Sequence, residues 1–235
     1  MKMKFLRTII AAALCGAASM LPSQSSAMTF REEVRNGLLI LHFDGKIEHG
    51  DYDKVFDFYR RIGQSYTGTR MVVSLNSTGG FVLEASKIAT FLRELNQSTI
   101  VAPNNRCYSA CFILFAAGQH RFIGRGATLG VHRAGDFTDN GEDMVSKALT
   151  LQMSQTLIEY GVSPQIIQKL MATDFSRVAV LNEADLRSMS VTVIDAAPAI
   201  TITPTVRPAI SGQPRMAKPR TREDVGATSP YGFSR

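Results

Sequence analysis

Apolar and polar positions divide the chain into short runs of alternating type. Leu38-Leu39-Ile40-Leu41-His42-Phe43 is a continuous apolar run broken by Asp44-Gly45, the signature of a buried strand entering a turn. From Asp51 to Ile62 the pattern changes: Val55, Phe58, Tyr59 and Ile62 fall at helical spacing, with Asp51 as the cap. Met71-Val72-Val73-Ser74-Leu75 reads as a second strand, and Asn76 to Gly80 as a turn-rich junction. Val82, Ala85, Ile88, Ala89 and Leu92 then place a helix over Phe81 to Leu95, followed by a short strand, Thr99-Ile100-Val101.

The second half repeats this alternation. A polar turn, Ala102 to Arg106, leads through Cys107-Tyr108-Ser109-Ala110-Cys111 into an apolar helix over Phe112 to Ala117, stopped by Gly118. His120 to Ile123 and Thr128 to Val131 read as strands, and Gly141 to Tyr160 as a long helix ended by Gly161. Ser163-Pro164 reads as the cap and first residue of another helix. Strands and helices joined by short connections predict an α/β layer architecture with its site at the sheet ends.

The two termini do not share this pattern. Lys2, Lys4 and Arg7 precede an uncharged apolar run from Ile9 to Leu21, and Ser25 and Ala27 place small residues at −3 and −1 of a cleavage site. Residues 1–27 therefore read as a cleaved secretory signal, which predicts a periplasmic or secreted protein. Leu14 before Cys15 argues against a lipoprotein, and no later stretch is long and apolar enough to span a bilayer. The folded domain is expected over 28–197. Residues 198–235, rich in Pro, Thr, Arg and Gly, read as a disordered tail.

Composition alters this picture little. The 235 residues are 45% hydrophobic, enough for a core, and carry a formal charge of +6. The tail holds six Lys/Arg from Arg207 onward against Glu223 and Asp224. No nucleic-acid motif and no interleaved aromatic residues accompany this charge, so a solvated tail is expected and no nucleic-acid partner. Beyond the signal only Cys107 and Cys111 remain. An exported chain permits a disulfide. On a regular helix residues four apart hold Cβ atoms about 5–6 Å apart, too far for an unstrained bridge. A bridge therefore requires a segment that is distorted or not yet helical at Cys107. A zinc site lacks two further ligands.

Four histidines are present. His42 lies inside an apolar run, His49 sits in a turn and His120 opens a strand. His132 differs, because Leu129-Gly130-Val131 delivers it to Arg133-Ala134-Gly135 at the rim of a sheet, where a neutral imidazole can accept a proton. A structural role at a strand end fits these residues equally well. Ser109 stands where a loop becomes an apolar helix. It is either a helix cap or a nucleophile beside the N–H of Ala110. In Asn76-Ser77-Thr78-Gly79-Gly80 two glycines allow close backbone approach, and the Walker and dinucleotide glycine spacings are absent.

Taken in order, Asn76-Ser77-Thr78-Gly79-Gly80, Cys107-Tyr108-Ser109-Ala110-Cys111 and Gly130-Val131-His132 resemble the ClpP/crotonase superfamily over Leu38 to Ile194. They are similar to the Clp protease proteolytic subunit and signal peptide peptidase A. The Cys-x-Ser-x-Cys form with a signal resembles a group of periplasmic ClpP-like proteins. The resemblance implies a layered fold of repeated β-β-α units. It implies Ser109 as nucleophile, His132 as general base, and Gly79, Gly80 and Ala110 as the oxyanion hole. Asp174 is the implied third member of a Ser-His-Asp triad. Asp136 is a nearer acid on a loop, and Asp185 would fall on a helix. Thr78 stands where the family often has proline. The implied activity is an ATP-independent serine peptidase with a peptide or protein substrate and neither metal nor cofactor. A homo-oligomer is permitted. The alternative is a catalytically inactive binding or scaffold protein on the same fold. An acyl-CoA activity does not suit an exported chain.

Overall fold

A computed structural model describes residues 27–66, 70–135 and 143–195. Residues 1–26 of the expected signal (1–27) and the expected tail at 198–235 lie outside the described residues, as does Asp136; Ala27, the last residue of the expected signal, is described and bridges to Lys46.

A hairpin opens the domain. β1 (Thr29–Arg35) pairs antiparallel with β2 (Leu38–Asp44) in register from Thr29 opposite Asp44 to Arg35 opposite Leu38. Its two-residue turn is Asn36-Gly37, with φ of 52° and 72°, the mirror-image turn whose twist matches a hairpin. α1 (Asp51–Ser65) follows, with Gly50 rather than Asp51 at its N-cap. β3 (Arg70–Asn76), α2 (Val82–Glu94), β4 (Ser98–Val101) and β5 (Arg106–Tyr108) come next. α3 (Ala110–Ala117), β6 (Arg121–Gly124), β7 (Thr128–Val131) and α4 (Met144–Glu159) complete the middle of the chain. α5 (Pro164–Ala172), β8 (Ala179–Val180), α6 (Glu183–Ser188) and β9 (Thr192–Ile194) close it. Ser163 occupies the N-cap position of α5 but makes no side-chain cap bond, contrary to expectation.

The strands form two sheets. The larger runs β1-β2-β3-β4-β6-β9, parallel throughout except at the β1 edge. The smaller runs β5-β7-β8. The units β1-β2-α1, β4-β5-α3 and β6-β7-α4 repeat a β-β-α plan. Parallel strands covered on both faces need apolar side chains on both, which is why β2 and β3 are near-continuous apolar runs. Phe43 on β2 is fully buried and meets Phe30 and Phe58 edge-on. Each such side chain contributes about 1.5–3 kcal/mol on burial.

α3 is the centre of the core. All eight of its residues, Ala110 to Ala117, are buried. The helix is apolar on every side, which suits an element packed all round. It begins at Ala110, two residues before the expected Phe112. Among the described residues no helix is long and apolar enough to cross a membrane.

Candidate active site

The site forms where three chain segments meet at the N-terminus of α3. The first carries Ser109. β5 runs parallel to β7, with Cys107 opposite Leu129 and Tyr108 opposite Gly130. The Ser109 N–H donates to the Gly130 carbonyl at 3.0 Å, and the Tyr108 N–H to the Ser77 carbonyl at 3.1 Å. The chain then reverses in one residue. Ser109 has φ 55° and ψ −128°, a region that a residue with a Cβ occupies at a cost of about 1–3 kcal/mol. The competing reading of Ser109 as a cap fails on geometry. It holds the N-cap position, yet its side chain makes no cap bond and no other hydrogen bond among the described residues.

The second segment is the glycine turn after β3. Gly79 and Gly80 have φ of 102° and 142°. A Cβ on Gly79 would stand 2.7 Å from the Ser109 Cβ, and one on Gly80 2.1 Å from the Ile47 carbonyl oxygen. Only glycine allows this approach. The two N–H groups differ in use. That of Gly79 donates to Ser77 Oγ at 3.1 Å, and its carbonyl accepts from the Ile47 N–H at 2.8 Å. The N–H of Gly80 has no acceptor among the described residues, and that of Ala110, first in its helix, has no intrahelical one. The free donors are thus Gly80 and Ala110. Gly79 supports the turn.

The third segment is the exit of β7, which carries His132. Its Nδ1 lies 2.7 Å from the Arg133 carbonyl oxygen. A carbonyl can only accept, so Nδ1 carries the proton and Nε2 keeps its lone pair. Burial holds the His132 pKa below its ordinary 6.5, against smaller upward pulls from that hydrogen bond and from the Asp174 charge. The imidazole is neutral at neutral pH, the state a general base needs.

Asp174 lies near His132 without bonding to it. Its Oδ1 accepts from the Ser176 N–H at 3.0 Å and Oγ–H at 2.6 Å, and its Oδ2 lies 3.5 Å from Arg133 Nη2. The Ser176 hydrogen bonds hold its pKa below the carboxylate's usual value. Asp185 is committed elsewhere. It forms a capping box with Asn182 and an ion pair with Lys169 at 2.6 Å.

Ser109, His132, Gly79 and Gly80 line one cavity of about 520 Å³. Phe81, Leu83, Val145, Leu149 and Phe175 make much of its wall apolar. Ser109 and His132 are not directly hydrogen-bonded in this structure. His49, read from sequence as a turn residue, also lines the cavity, with its ring 4.0 Å from that of Phe81. Nothing in its local sequence signals this, since the Ile47–Gly80 bridge that brings it there is long-range. His42 pairs with Glu33 at 3.1 Å on the hairpin, and His120 is exposed away from the cavity.

Cys107 and Cys111 form a disulfide with Cα atoms 5.2 Å apart. Cys107 lies on β5 and Cys111 in the first turn of α3, so the bridge spans the reversal at Ser109.

A layered α/β domain with a strained serine starting a buried helix, beside a glycine turn and a strand-end histidine, defines a class of architecture. The fold is similar to that of solved ClpP-type proteases. ClpP1 from Listeria monocytogenes superposes with a TM-score of 0.53 at 15% identity, over 67% of this chain and 92% of that one. A point mutant of the same protein gives 0.52 at 17% identity, over 66% and 91%. A mutant of the 1510-N membrane-bound stomatin-specific protease gives 0.52 at 16%, over 68% and 80%. At these identities the likeness is one of fold. No protein-family model matches the chain, and no curated protein does.

Proposed function

We propose that the chain is an exported ClpP-like serine peptidase that works without ATP. The observation that carries this reading is Ser109. Its hydroxyl gives up the cap bond that its position invites, and its backbone is held in a costly conformation beside two N–H groups without acceptors among the described residues. Strain and unmet donors gathered at one half-buried point cost stability, and a reactive site accounts for both.

In the proposed reaction, His132 Nε2 takes the Ser109 hydroxyl proton as Oγ attacks a carbonyl carbon. The oxygen that becomes negative is received by the N–H groups of Gly80 and Ala110, with the positive end of the α3 dipole behind them. The tetrahedral intermediate collapses as His132 returns the proton to the leaving amine. Water, deprotonated by His132, then releases the acyl group from Ser109. Asp174 contributes by its charge, which favours the imidazolium that forms in each half. The apolar wall suits a peptide or protein substrate with a large apolar side chain near the scissile bond. The signal-like residues 1–27 support a location in the periplasm or outside the cell, with a substrate or a second copy of the chain as the partner.

The second reading, a catalytically inactive binding or scaffold protein, draws on the absence of an Asp174–His132 bond. Turnover separates the two. The purified chain should cleave an unfolded protein such as casein, or a fluorogenic peptide with an apolar residue before the scissile bond, and Ser109→Ala should abolish cleavage. A folded wild-type chain with no turnover above that of Ser109→Ala would establish the second reading.

A further inference from the structure

The disulfide lies across Ser109, and its geometry depends on what Ser109 does. Residues four apart on a strand are about 13 Å apart. A bridge needs Cα atoms at roughly 4.4–6.8 Å. Cys107 and Cys111 meet this condition, at 5.2 Å, because the chain turns back on itself between them. That reversal is concentrated in the φ of 55° at Ser109. Upstream, β5 is anchored by the bonds from Tyr108 to Ser77 and from Ser109 to Gly130. Downstream, α3 is locked into the core. Both cysteines are fully buried, so the bridge joins two packed elements on either side of the strained residue.

We propose that the Cys107–Cys111 bridge is a positioning device for Ser109, and that its redox state sets the reactivity of that serine. This rests on the serine-hydrolase reading above. A bridge that forms only in the reversed conformation stabilises that conformation by linkage. With the bridge closed, Ser109 is held where its Oγ stands beside the free Gly80 and Ala110 N–H groups. With the bridge open, Ser109 relaxes toward an ordinary backbone conformation and its Oγ leaves that place. The strain involved corresponds to a population bias of about ten- to a hundredfold. The switching step balances with a dithiol as the other reactant. Two electrons and two protons pass to the bridge, the S–S bond breaks to two cysteine thiols, and the dithiol becomes a cyclic disulfide.

The test compares four forms of the full chain: oxidised wild type, wild type reduced with dithiothreitol, the same sample reoxidised, and Cys107→Ala/Cys111→Ala. Alkylation and peptide mapping establish the state of the two cysteines. A fluorophosphonate supplies kinact and KI, and the Ser109 ¹³Cα and ¹³Cβ shifts report its backbone conformation. Reduction and the double variant should each lower kinact about tenfold or more with KI unchanged, and move the Ser109 shifts out of the positive-φ range. Reoxidation should restore both. Equal kinact and equal shifts in all forms would overturn the proposal while leaving the hydrolase reading intact. If the oxidised protein never reacts, the hydrolase reading fails, and the shifts alone decide whether the bridge holds Ser109. Should the double variant not fold, the reduced and reoxidised wild type carry the comparison.

Discussion

The two ends of α3 are treated in opposite ways. Both are buried, and a buried helix end without partners is costly. At the C-terminal end the Phe115 and Ala116 carbonyls have side-chain donors. Arg121 donates to the Ala116 carbonyl from Nε at 3.0 Å and from Nη2 at 2.6 Å, and Thr99 Oγ–H donates to the Phe115 carbonyl at 2.8 Å. The same guanidinium reaches the Tyr160 carbonyl past α4 and the Met189 carbonyl past α6. One cation thus closes the C-termini of three helices, where the dipoles favour positive charge. At the N-terminal end a serine stands in the cap position and does not cap, its backbone is strained, and the Ala110 N–H has no acceptor among the described residues. One end is supplied with side-chain donors. The other keeps its donors free, and the histidine and the glycine turn are gathered there. On the proposed reading the contrast locates the chemistry: unmet polar groups that a stable fold would satisfy are kept where a reacting oxygen could use them.

The contrast can be broken from either side. Gly80→Ala should have the largest effect, because the added Cβ would stand 2.1 Å from the Ile47 carbonyl oxygen and must displace the free N–H. Fluorophosphonate labelling should slow about a hundredfold or more, the loss expected for one oxyanion donor. A rate within a few-fold of wild type would remove that N–H from the site. Arg121→Met attacks the other end. It leaves three buried carbonyls without their charged donor and should cost on the order of 3 kcal/mol, about 10 °C in Tm. Labelling of the chain that remains folded should stay within about twofold of wild type. A selective loss of labelling would show that the two ends are not independent.

The pH dependence follows from His132. Its folded pKa lies below 6.5 because burial disfavours the charged ring. A group with a depressed folded pKa contributes stability above its unfolded pKa, and that contribution fades as pH falls through the folded value. The labelling rate should therefore be flat near neutrality, with an acid limb centred below 6.5. Asp174→Asn removes a charge that raises this pKa, so the limb should move to still lower pH. A limb above 6.5 would mean that the base is another group. The smallest change in stability is expected from Ser109→Gly, which removes the labelled hydroxyl and relieves the backbone strain. It should stabilise the chain by about 1 kcal/mol, or about 3 °C in Tm, while abolishing labelling. A lower Tm would argue against strain at this position.

Much of the fold was legible because its buried elements are written as apolar runs. β2, β3, β4, α1, α2 and β7 fall within a few residues of their predicted spans. β1 was not, since four of its seven residues are charged. It is held by backbone pairing along an edge, and the Asn36-Gly37 turn was its only local sign. The start of α3 was placed too late because Cys107 to Cys111 carries no period, and a fully buried helix shows no polar stripe. Gly79, Gly80, Ala110, Ser109 and His132 were legible as a group and ambiguous one at a time. What sequence could not supply was allocation. That Ser77 takes the Gly79 N–H, that Arg133 and Ser176 occupy Asp174, and that Ser109 adopts φ of 55° against its own preference are outcomes of tertiary packing. Spacing alone left two ways to close the disulfide, a distorted segment or one not yet helical at Cys107; in the structure Cys107 is on a strand.

The central claim is that Ser109 is a nucleophile rather than a helix cap. The most direct measurement is reaction of the folded chain with a fluorophosphonate, followed by peptide mapping of the adduct by mass spectrometry. The account predicts one adduct per chain, on Ser109, absent in Ser109→Ala and strongly slowed in His132→Ala. An unreacted Ser109 in a chain shown to be folded, or an adduct on another residue, would contradict it.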